Sequence, residues 1–321
     1  MKPFKTFRQQ LTILRDRGLV IKSGSKAMRV LENENYYSLI NGYKDLFLKK
    51  DTNNKPVSPE KYKNGATFED IYNLYTIDRD LRNLILEYLL KFESSIKSKI
   101  SYRFSEEYKD SHAYLVWTNY TKDPKKSKTV LDLISTITST ISKKGNKKNS
   151  PIKHYLDTHD SVPLWVLVNY LSMGNMEYFY LCLRKNIQNK VAKDFSAQYS
   201  RDYKVSLQFP PEMIENILKT ATFFRNVCAH EDRLYNFRLY KPAKNSLASS
   251  LLNIPQKELD KGNLFTLISF LKLVLPKKEH KILISNLKKT FIKYSSSFTS
   301  VNFEDILKEM GFELHWESYF N

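Results

Sequence analysis

Three residues suited to acid–base and phosphate chemistry stand close together in the stretch FFRNVCAHEDRLYN, residues 223–236: Arg225, Asn226 and His230. Histidine changes its charge near neutral pH, which makes His230 a candidate general acid or base. Arg225 offers a permanent, forked charge that fits phosphate and can stabilise a charged phosphorane. Asn226 can orient the imidazole or hold a phosphate oxygen. Together these groups meet the needs of RNA cleavage, in which a 2′-hydroxyl loses a proton and a leaving oxygen gains one.

Two plainer interpretations fit the same three residues. An arginine, an asparagine and a histidine on a helix often form a structural hydrogen-bond network that caps a core. Alternatively, the trio holds the phosphates of a bound RNA without cutting it. The residues alone leave all three interpretations open.

The position of Arg225 on its helix breaks the usual pattern. At about 100° per residue, Arg225 falls in the middle of an apolar stripe formed by Ile214, Leu218, Ala221 and Cys228, with Ile217 and Phe224 at its edge. Because an unpaired buried charge is costly, we expect either a carboxylate partner or a polar cleft at that level. One candidate source of the carboxylate is the segment YTIDRDLR (75–82), in which Asp78 and Arg82 also have the spacing of an ion pair on a helix surface.

The angle between the two charged residues of the trio sets a further condition. On a straight helix, side chains at positions 225 and 230 point about 140° apart. The helix must therefore end near His230, or a second subunit must complete the site. A second subunit has a candidate contact surface in Met213, Phe223 and Val227, which form another partly apolar face of the same helix.

Helical periodicity dominates the elements that must position these residues. The segment FKTFRQQLTILRDRG places one apolar stripe toward a core and stops at Gly18; the stripe consists of Phe4, Phe7, Leu11 and Leu14. Thr67 and Asp70 have the spacing of a helix cap at the start of the longest periodic run. Pro210 and Pro211 suit the first turn of the helix that carries the trio. The pattern predicts an all-α fold.

Charge is the strongest signal in the composition. The chain carries 52 Lys+Arg against 34 Asp+Glu, a net charge of +18. Such an excess favours a polyanionic partner, with nucleic acid ahead of membrane, although a lysine-rich proteome would produce it too. Residues 122–153 are especially basic and predict a mobile basic loop flanking a short helix. In that segment Lys143, Lys144, Lys147 and Lys148 either contact RNA phosphates or belong to a solvated loop.

Several classes of protein and site are disfavoured. Cys182 and Cys228 show no CxxC spacing, which argues against a zinc site or a disulfide framework; Cys228 fits a core position. The charged start and the shortness of the most apolar stretch, LFTLISFLKLVLP, predict a cytoplasmic protein without a membrane span. The segment HYLDTHD (154–160) groups potential metal ligands, but a surface helix end is the better interpretation. We expect no metal and no cofactor.

The chain resembles a known family in several blocks that follow one another in family order. RNVCAH (225–230) matches the R-N-x-x-x-H signature of the HEPN superfamily of helical ribonucleases and RNA-binding domains. The blocks LRDRGLVI, NYYSLINGY, FEDIYNLYTIDRDLR, PLWVLVNYLSMGNM, RNVCAHEDRLYN and MGFELHW are similar to those of bacterial abortive-infection proteins of the AbiD/AbiF-like kind. Together they cover the chain from about residue 6 to 316.

This resemblance implies a HEPN-like helical bundle with additional N- and C-terminal helices. It implies a metal-independent endoribonuclease that acts as an abortive-infection or toxin effector in phage defence, with Arg225, Asn226 and His230 as catalytic residues. Two HEPN domains would meet as a homodimer and form one composite cleft. A restraining small non-coding RNA would be a further partner. The alternative is a non-catalytic HEPN module that binds RNA, including such a non-coding RNA.

Two further expectations concern boundaries and a departure from the family pattern. Residues 1–240 are predicted to form the helical domain that contains the motif, and residues 241–321 a C-terminal helical extension packed on it. Asn169 stands at a position, after PLWVLV, where relatives often carry glutamate. If that glutamate pairs with the motif arginine in relatives, Arg225 must find another carboxylate here.

Overall fold

The computed structural model describes residues 3–159, 161–240, 242 and 246–320. Within these ranges the secondary structure is α-helical, with short 3-10 turns, one π-helix and isolated β-bridges in place of any sheet. The all-α prediction is confirmed. The helices are α1 Phe7–Asp16, α2 Gly24–Asn33, α3 Phe68–Glu107, α4 Ser127–Gly145, α5 Pro151–His159, α6 Leu164–Leu167, α7 Met173–Cys182, α8 Lys185–Tyr203, α9 Pro211–Ala229, α10 Ser246–Leu252, α11 Gln256–Leu259, α12 Leu264–Val274, α13 Lys277–Tyr294 and α14 Phe303–Met310.

The chain forms two compact units, each built from separate segments. The first comprises Met1–Leu84, His230–Phe237 and Leu283–Asn321, and the second comprises Ile85–Ala229 and Arg238–Ile282. Helices α3 and α13 each contribute to both units. This division does not coincide with the expected boundary at residue 240, which stays a prediction. None of the helices in the described ranges combines the length and the apolar character that a bilayer crossing requires.

The first unit opens with two packed helices, α1 and α2. Helix α1 starts at a capping box: Gln9 N–H donates to the Thr6 hydroxyl, and Thr6 N–H donates to the Gln9 side chain. Leu11 and Leu14 are buried as predicted, and Gly18 adopts a left-handed φ of 89° two residues after the helix ends. Phe4 and Phe7 are 87% and 39% exposed, so their predicted place in the core stripe is wrong. The cap at Thr6 starts the helix after Phe4, which removes it from the helical stripe.

Helix α3 begins at the predicted cap, which also joins distant parts of the first unit. Thr67 N–H donates to Asp70 Oδ2 at 3.1 Å, and Asp70 N–H donates to Thr67 Oγ1 at 3.0 Å. The same carboxylate accepts the N–H of Thr299 at 2.8 Å and the hydroxyl of Ser300 at 2.9 Å. Asp70 is only 1% exposed. The residue that starts α3 therefore also holds the segment near residue 300.

The second unit is a helical bundle in which α9 contacts α7, α8 and α12, and α4 packs on α7. Ring contacts join α3 to its neighbours: Phe92 meets Phe195 of α8, and Phe104 meets Phe179 of α7. On the outside, Arg103 donates through Nε and Nη2 to both carboxylate oxygens of Asp194. These contacts place α3, α7 and α9 side by side around one core.

The predicted mobile loop in the basic segment 122–153 is wrong. Residues Ser127–Gly145 form the long helix α4, and Pro151 begins α5. Helix α4 forms because Val130, Leu133 and Ile137 recur at helical spacing and are buried. The lysine content of the segment hid this apolar stripe, since most of the lysines lie on the opposite, exposed side or beyond the helix end.

Candidate active site

Helix α9 carries Arg225 and Asn226 near its C-terminal end. It begins at Pro211, as predicted, and Glu212 in its first turn pairs with Lys185. The predicted apolar stripe is buried along the whole helix, and it consists of Ile214, Ile217, Leu218, Ala221, Phe224 and Cys228. Arg225 is half-buried, with 27% of its side chain exposed. Asn226, one position further on, is exposed.

A carboxylate meets Arg225, which is one of the two outcomes expected from its position on the stripe. Glu93 of α3 places Oε2 at 3.7 Å from Arg225 Nε, and only 9% of the Glu93 side chain is exposed. The other oxygen of Glu93 accepts a hydrogen bond from Lys97 Nζ at 2.7 Å. Neither Arg225 Nε nor Glu93 Oε2 has a hydrogen-bond partner among the described residues. One carboxylate thus faces two cations, and both partners of the Arg225–Glu93 pair retain unused hydrogen-bonding capacity.

Glu93 also lines an open cleft of about 390 Å³ in the second unit. Its floor is a face of α3 on which small hydroxyl side chains recur at Ser94, Ser98 and Ser101. Trp165 and Asn169 form the opposite wall. The amide of Asn169 donates to the carbonyls of Trp165 at 3.0 Å and of Val166 at 3.3 Å. Asn169 therefore closes a local turn, and the counter-ion of Arg225 comes from α3.

Sequence reasoning missed Glu93, although a signal was present. Leu89, Ile96 and Ile100 are fully buried positions of α3. Glu93 lies four residues after Leu89 and three before Ile96, so it shares their inward-facing stripe. An acidic residue on an apolar stripe is the counterpart of the arginine on the apolar stripe of α9. A search for the two together would have paired them.

His230 lies just beyond the end of α9, which is one of the two alternatives that its angle to Arg225 left open. The helix ends at Ala229, and His230 is an exposed residue of the following turn. Glu231 then adopts a left-handed φ of 58°, which reverses the course of the backbone. The straight-helix angle of about 140° therefore does not apply to His230. Arg225 and Asn226 belong to the second unit and His230 to the first, because the boundary falls between Ala229 and His230.

A buried network in the first unit fixes the chain that follows His230. Asp78 Oδ2 accepts hydrogen bonds from Tyr43 OH at 2.7 Å, from Arg82 Nη1 at 2.8 Å and from Leu234 N–H at 3.0 Å. Arg82 Nη1 also donates to the carbonyl of Asp232 at 3.4 Å. Burial raises the pKa of Asp78, while the donors from Leu234, Tyr43 and Arg82 oppose that shift.

The predicted pair of Asp78 and Arg82 is confirmed, but its predicted place on the helix surface is wrong. The side chains are 0% and 5% exposed, respectively. They are buried because Tyr43 and the segment after His230 cover this side of α3 within the first unit. The Asp78–Arg82 pair thus forms hydrogen bonds with the backbone of residues 232–234. The carboxylate that meets Arg225 comes from Glu93 instead.

The four basic residues proposed to contact RNA lie at the C-terminal end of α4 and directly after it. Lys143, Lys147 and Lys148 are exposed. Lys144 is partly buried, with Nζ at 5.2 Å from the ring centroid of Tyr170. Three of the four side chains are thus open to a ligand, and the fourth is partly engaged by an aromatic face.

The acidic and histidine-rich segment after them forms α5. The rings of His154 and His159 lie 6.1 Å apart on that helix, and Asp160 falls outside the described residues. Across the described ranges, no group of three or more His, Cys, Asp or Glu side chains is placed to hold a metal ion.

The apolar face suggested for subunit contact is mostly used within the chain itself. Met213 and Val227 are 1% and 6% exposed, so the expectation that they form an outer face is wrong. Both point inward because α9 has neighbours on several sides in the second unit. Phe223 alone of the three is exposed, at 46%.

Comparison with known proteins gives the family. No curated protein and no solved structure matches the chain. The sequence model of one family, described as Abi-like protein, matches residues 29–236. The match covers more than half of the 321 residues and includes Glu93, Arg225, Asn226 and His230. The chain belongs to the Abi-like protein family.

Proposed function

We propose that this protein is a metal-independent endoribonuclease of the HEPN type that acts in abortive infection. Membership in the Abi-like family supports a role in abortive infection and phage defence in general. The R-N-x-x-x-H motif at residues 225–230 and the excess of 18 positive charges support RNA as the substrate. The protein acts in the cytoplasm, where it limits infection by cutting RNA.

One observation carries the catalytic assignment. Arg225 lies half-buried beside Glu93, yet its Nε stays 3.7 Å from Oε2 and makes no hydrogen bond within the described residues. A purely structural buried arginine usually satisfies its donors with carboxylates or carbonyls, as Arg82 and Arg103 do in this protein. Arg225 instead keeps its charge near a carboxylate while its Nε makes no hydrogen bond to any of the described residues. That is the state expected of a group that binds phosphate.

The proposed reaction is cleavage by internal attack. The 2′-hydroxyl of the nucleotide before the cut attacks the adjacent phosphorus, and the bond to the 5′-oxygen of the next nucleotide breaks. His230 takes the 2′-hydroxyl proton while water protonates the leaving 5′-oxygen, or water takes the 2′-hydroxyl proton while His230 protonates the leaving oxygen. Arg225 stabilises the extra negative charge on the phosphorane, and Asn226 holds a phosphate oxygen or the imidazole. The products carry a 2′,3′-cyclic phosphate and a 5′-hydroxyl, and no step requires a metal.

The active form is a homodimer in which two motif helices contribute to one composite cleft. Exposed Phe223 lies three positions before Asn226 on the outer face of α9 and supplies apolar surface for this contact. The protomer mass is 37.9 kDa, so sedimentation at micromolar concentration distinguishes the two states. A single species of protomer mass would contradict the composite cleft.

The reaction is tested directly with labelled RNA. The purified protein is incubated with single-stranded RNA in excess EDTA, and the new ends are analysed by mass spectrometry. We expect cleavage to continue and to leave 2′,3′-cyclic phosphate ends. Loss of cleavage in EDTA, or ends of another kind, would overturn this mechanism. Tight RNA binding without any cleavage would support the alternative, a non-catalytic HEPN module that binds RNA, including a small non-coding RNA.

A further inference from the structure

A second cleft lies directly beside the chain that follows His230. It has a volume of about 280 Å³ and belongs wholly to the first unit. One wall is formed by residues 231–233, which come immediately after the histidine, and the other by residues 37–43. Tyr75 of α3 completes the lining. Nothing in the proposed cleavage step uses this cleft.

Both walls are held in place by hydrogen bonds. Residues Tyr37–Asn41 form a π-helix, a rare element that frequently marks functional sites. Its first turn is fixed by the N–H of Tyr37, which donates to Asn35 Oδ1 at 2.8 Å. The two walls are tied together by Arg233, whose Nη1 donates to the carbonyl of Gly42 at 2.7 Å. The cleft is therefore preformed.

The lining combines an exposed ring with acidic and amide groups. Tyr37, which lines the cleft, is 74% exposed. Glu231 and Asp232 are exposed carboxylates on the opposite wall. Arg233, a cation in the lining, is already engaged by the carbonyl of Gly42 and by Asp45. A phosphate would meet net negative charge here, whereas a flat ring with N–H donors would find both a stacking surface and acceptors.

We propose that this cleft binds one unpaired nucleobase of the RNA next to the cleaved bond, with guanine preferred. This inference rests on the proposed function. The base stacks on Tyr37, as bases do on exposed aromatic side chains of proteins that bind single strands. Guanine presents adjacent N1–H and N2–H donors, which match the two oxygens of one carboxylate, here that of Glu231. Uracil has one such donor, and adenine and cytosine have a single amino group beside an acceptor.

The test measures binding without cleavage. The probes are fluorescent heptamers of 2′-O-methyluridine with 2′-O-methylguanosine, 2′-O-methyladenosine or 2′-O-methylcytidine at the central position, so that no nucleotide carries the attacking hydroxyl. The affinity of the wild-type full chain for each probe is measured by fluorescence anisotropy. Tyr37→Ala should weaken binding of the guanosine probe about 5- to 150-fold, the range for loss of one stacked base. Tyr37→Phe keeps the ring and should retain the affinity.

Two further variants complete the design. Glu231→Gln should reduce the preference for guanosine over adenosine, because an amide offers an N–H where guanine needs an acceptor. Tyr102→Ala is the matched control, since Tyr102 is a similarly exposed tyrosine, at 62%, that lies outside this cleft. Its affinity for every probe should equal that of the wild type. Circular dichroism checks that each variant is folded.

The outcomes separate this inference from the proposed nuclease. Wild-type affinities that are equal for all probes, or unchanged after Tyr37→Ala, would overturn the base site even if ordinary RNA is cut. A guanosine preference that depends on Tyr37 and Glu231 would support the site even if ordinary RNA is never cut. In that case the nuclease mechanism would fail while the base site would stand.

Discussion

Arg225 Nε and Glu93 Oε2 approach to 3.7 Å, near enough for charge pairing and too far for a hydrogen bond. The carboxylate is already occupied on its other oxygen by Lys97. Glu93 can therefore hold the Arg225 guanidinium in position without accepting a hydrogen bond from Nε. This arrangement differs from that of Arg103, which donates to both oxygens of Asp194. In the proposed mechanism Glu93 is a positioning residue and Arg225 touches the substrate.

Replacing Glu93 tests this relationship. Glu93→Gln should lower the free energy of unfolding by about 1–2 kcal/mol, below the range for a fully buried pair because Arg225 remains partly exposed. It should also reduce cleavage, because the guanidinium loses its anchor. Chemical denaturation and initial cleavage rates are the measurements. Glu87→Gln is the control, since Glu87 of the same helix forms an exposed pair with Lys91 and should change stability by less than about 0.5 kcal/mol. Equal effects of the two substitutions would refute the positioning role.

Replacing His230 tests the proton transfer. His230→Ala should reduce the cleavage rate at least about 10²-fold, the lower bound usual for a general acid or base. Affinity for RNA should stay nearly unchanged, because the proposed role of His230 is to transfer a proton and not to attract phosphate. His159→Ala removes another exposed histidine and should leave cleavage intact. Full activity of His230→Ala would be incompatible with the proposed chemistry.

The buried network after His230 makes a prediction about stability. Asp78→Asn leaves the Arg82 guanidinium buried without its counter-charge, and we expect a loss of about 3–5 kcal/mol in unfolding free energy. Asp80→Asn, two residues along the same helix, removes a carboxylate that pairs with exposed Lys293 and should cost less than about 1 kcal/mol. Urea denaturation of both variants gives the comparison. A small effect of Asp78→Asn would mean that the network does not hold residues 232–234.

The lysines around the end of α4 predict a salt effect on RNA binding. Each phosphate contact should contribute a log–log slope of about −0.7 for single strands. Replacing Lys143, Lys144, Lys147 and Lys148 with alanine should flatten the slope, and Lys144→Ala alone should change it least because Tyr170 engages that side chain. Alanine at exposed Lys49, Lys50 and Lys61 is the control. An unchanged slope in the fourfold variant would show that these lysines do not contact RNA phosphates.

Stability should depend on pH through His280. Burial lowers the pKa of His280 to about 4, from 6.5 in the unfolded chain, although a hydrogen bond to the carbonyl of Ile268 opposes the shift. Between pH 4 and pH 6.5 His280 is protonated in the unfolded state but not in the folded state. The free energy of unfolding is therefore highest above pH 6.5 and falls as the pH drops toward 4. The loss should reach about 3 kcal/mol. In His280→Leu the unfolding free energy should vary less over this range than in the wild type, whereas His159→Ala should keep the wild-type slope.

The sequence predicted those parts of the fold that depend on local pattern. The cap at Thr67 and Asp70 and the start of α9 at Pro211 follow from local propensities, and both are confirmed. The end of α9 near His230 is one of the two alternatives that the angle between positions 225 and 230 left open. The predicted place of Phe4 in the helical stripe is wrong because the helix cap lies after it, at Thr6. The predicted loop in the basic segment is wrong because the short apolar stripe of α4 forms a helix despite the many lysines. The position of Arg225 predicted either a carboxylate partner or a polar cleft, but the identity of the carboxylate depended on how α3 packs in the second unit. Periodicity alone does not give that packing.

The segments of the first unit are translated at widely separated times. Its segments are separated by Ile85–Ala229 and Arg238–Ile282, so at about 5–20 residues per second many seconds pass between its first part and its last. Asp70 emerges from the ribosome long before Thr299 and Ser300, its later partners. Until those residues appear, the unit that contains His230 cannot close. The first unit would therefore remain incompletely folded until translation reaches its last segment. A product of premature termination would lack the segment that contains Thr299 and Ser300.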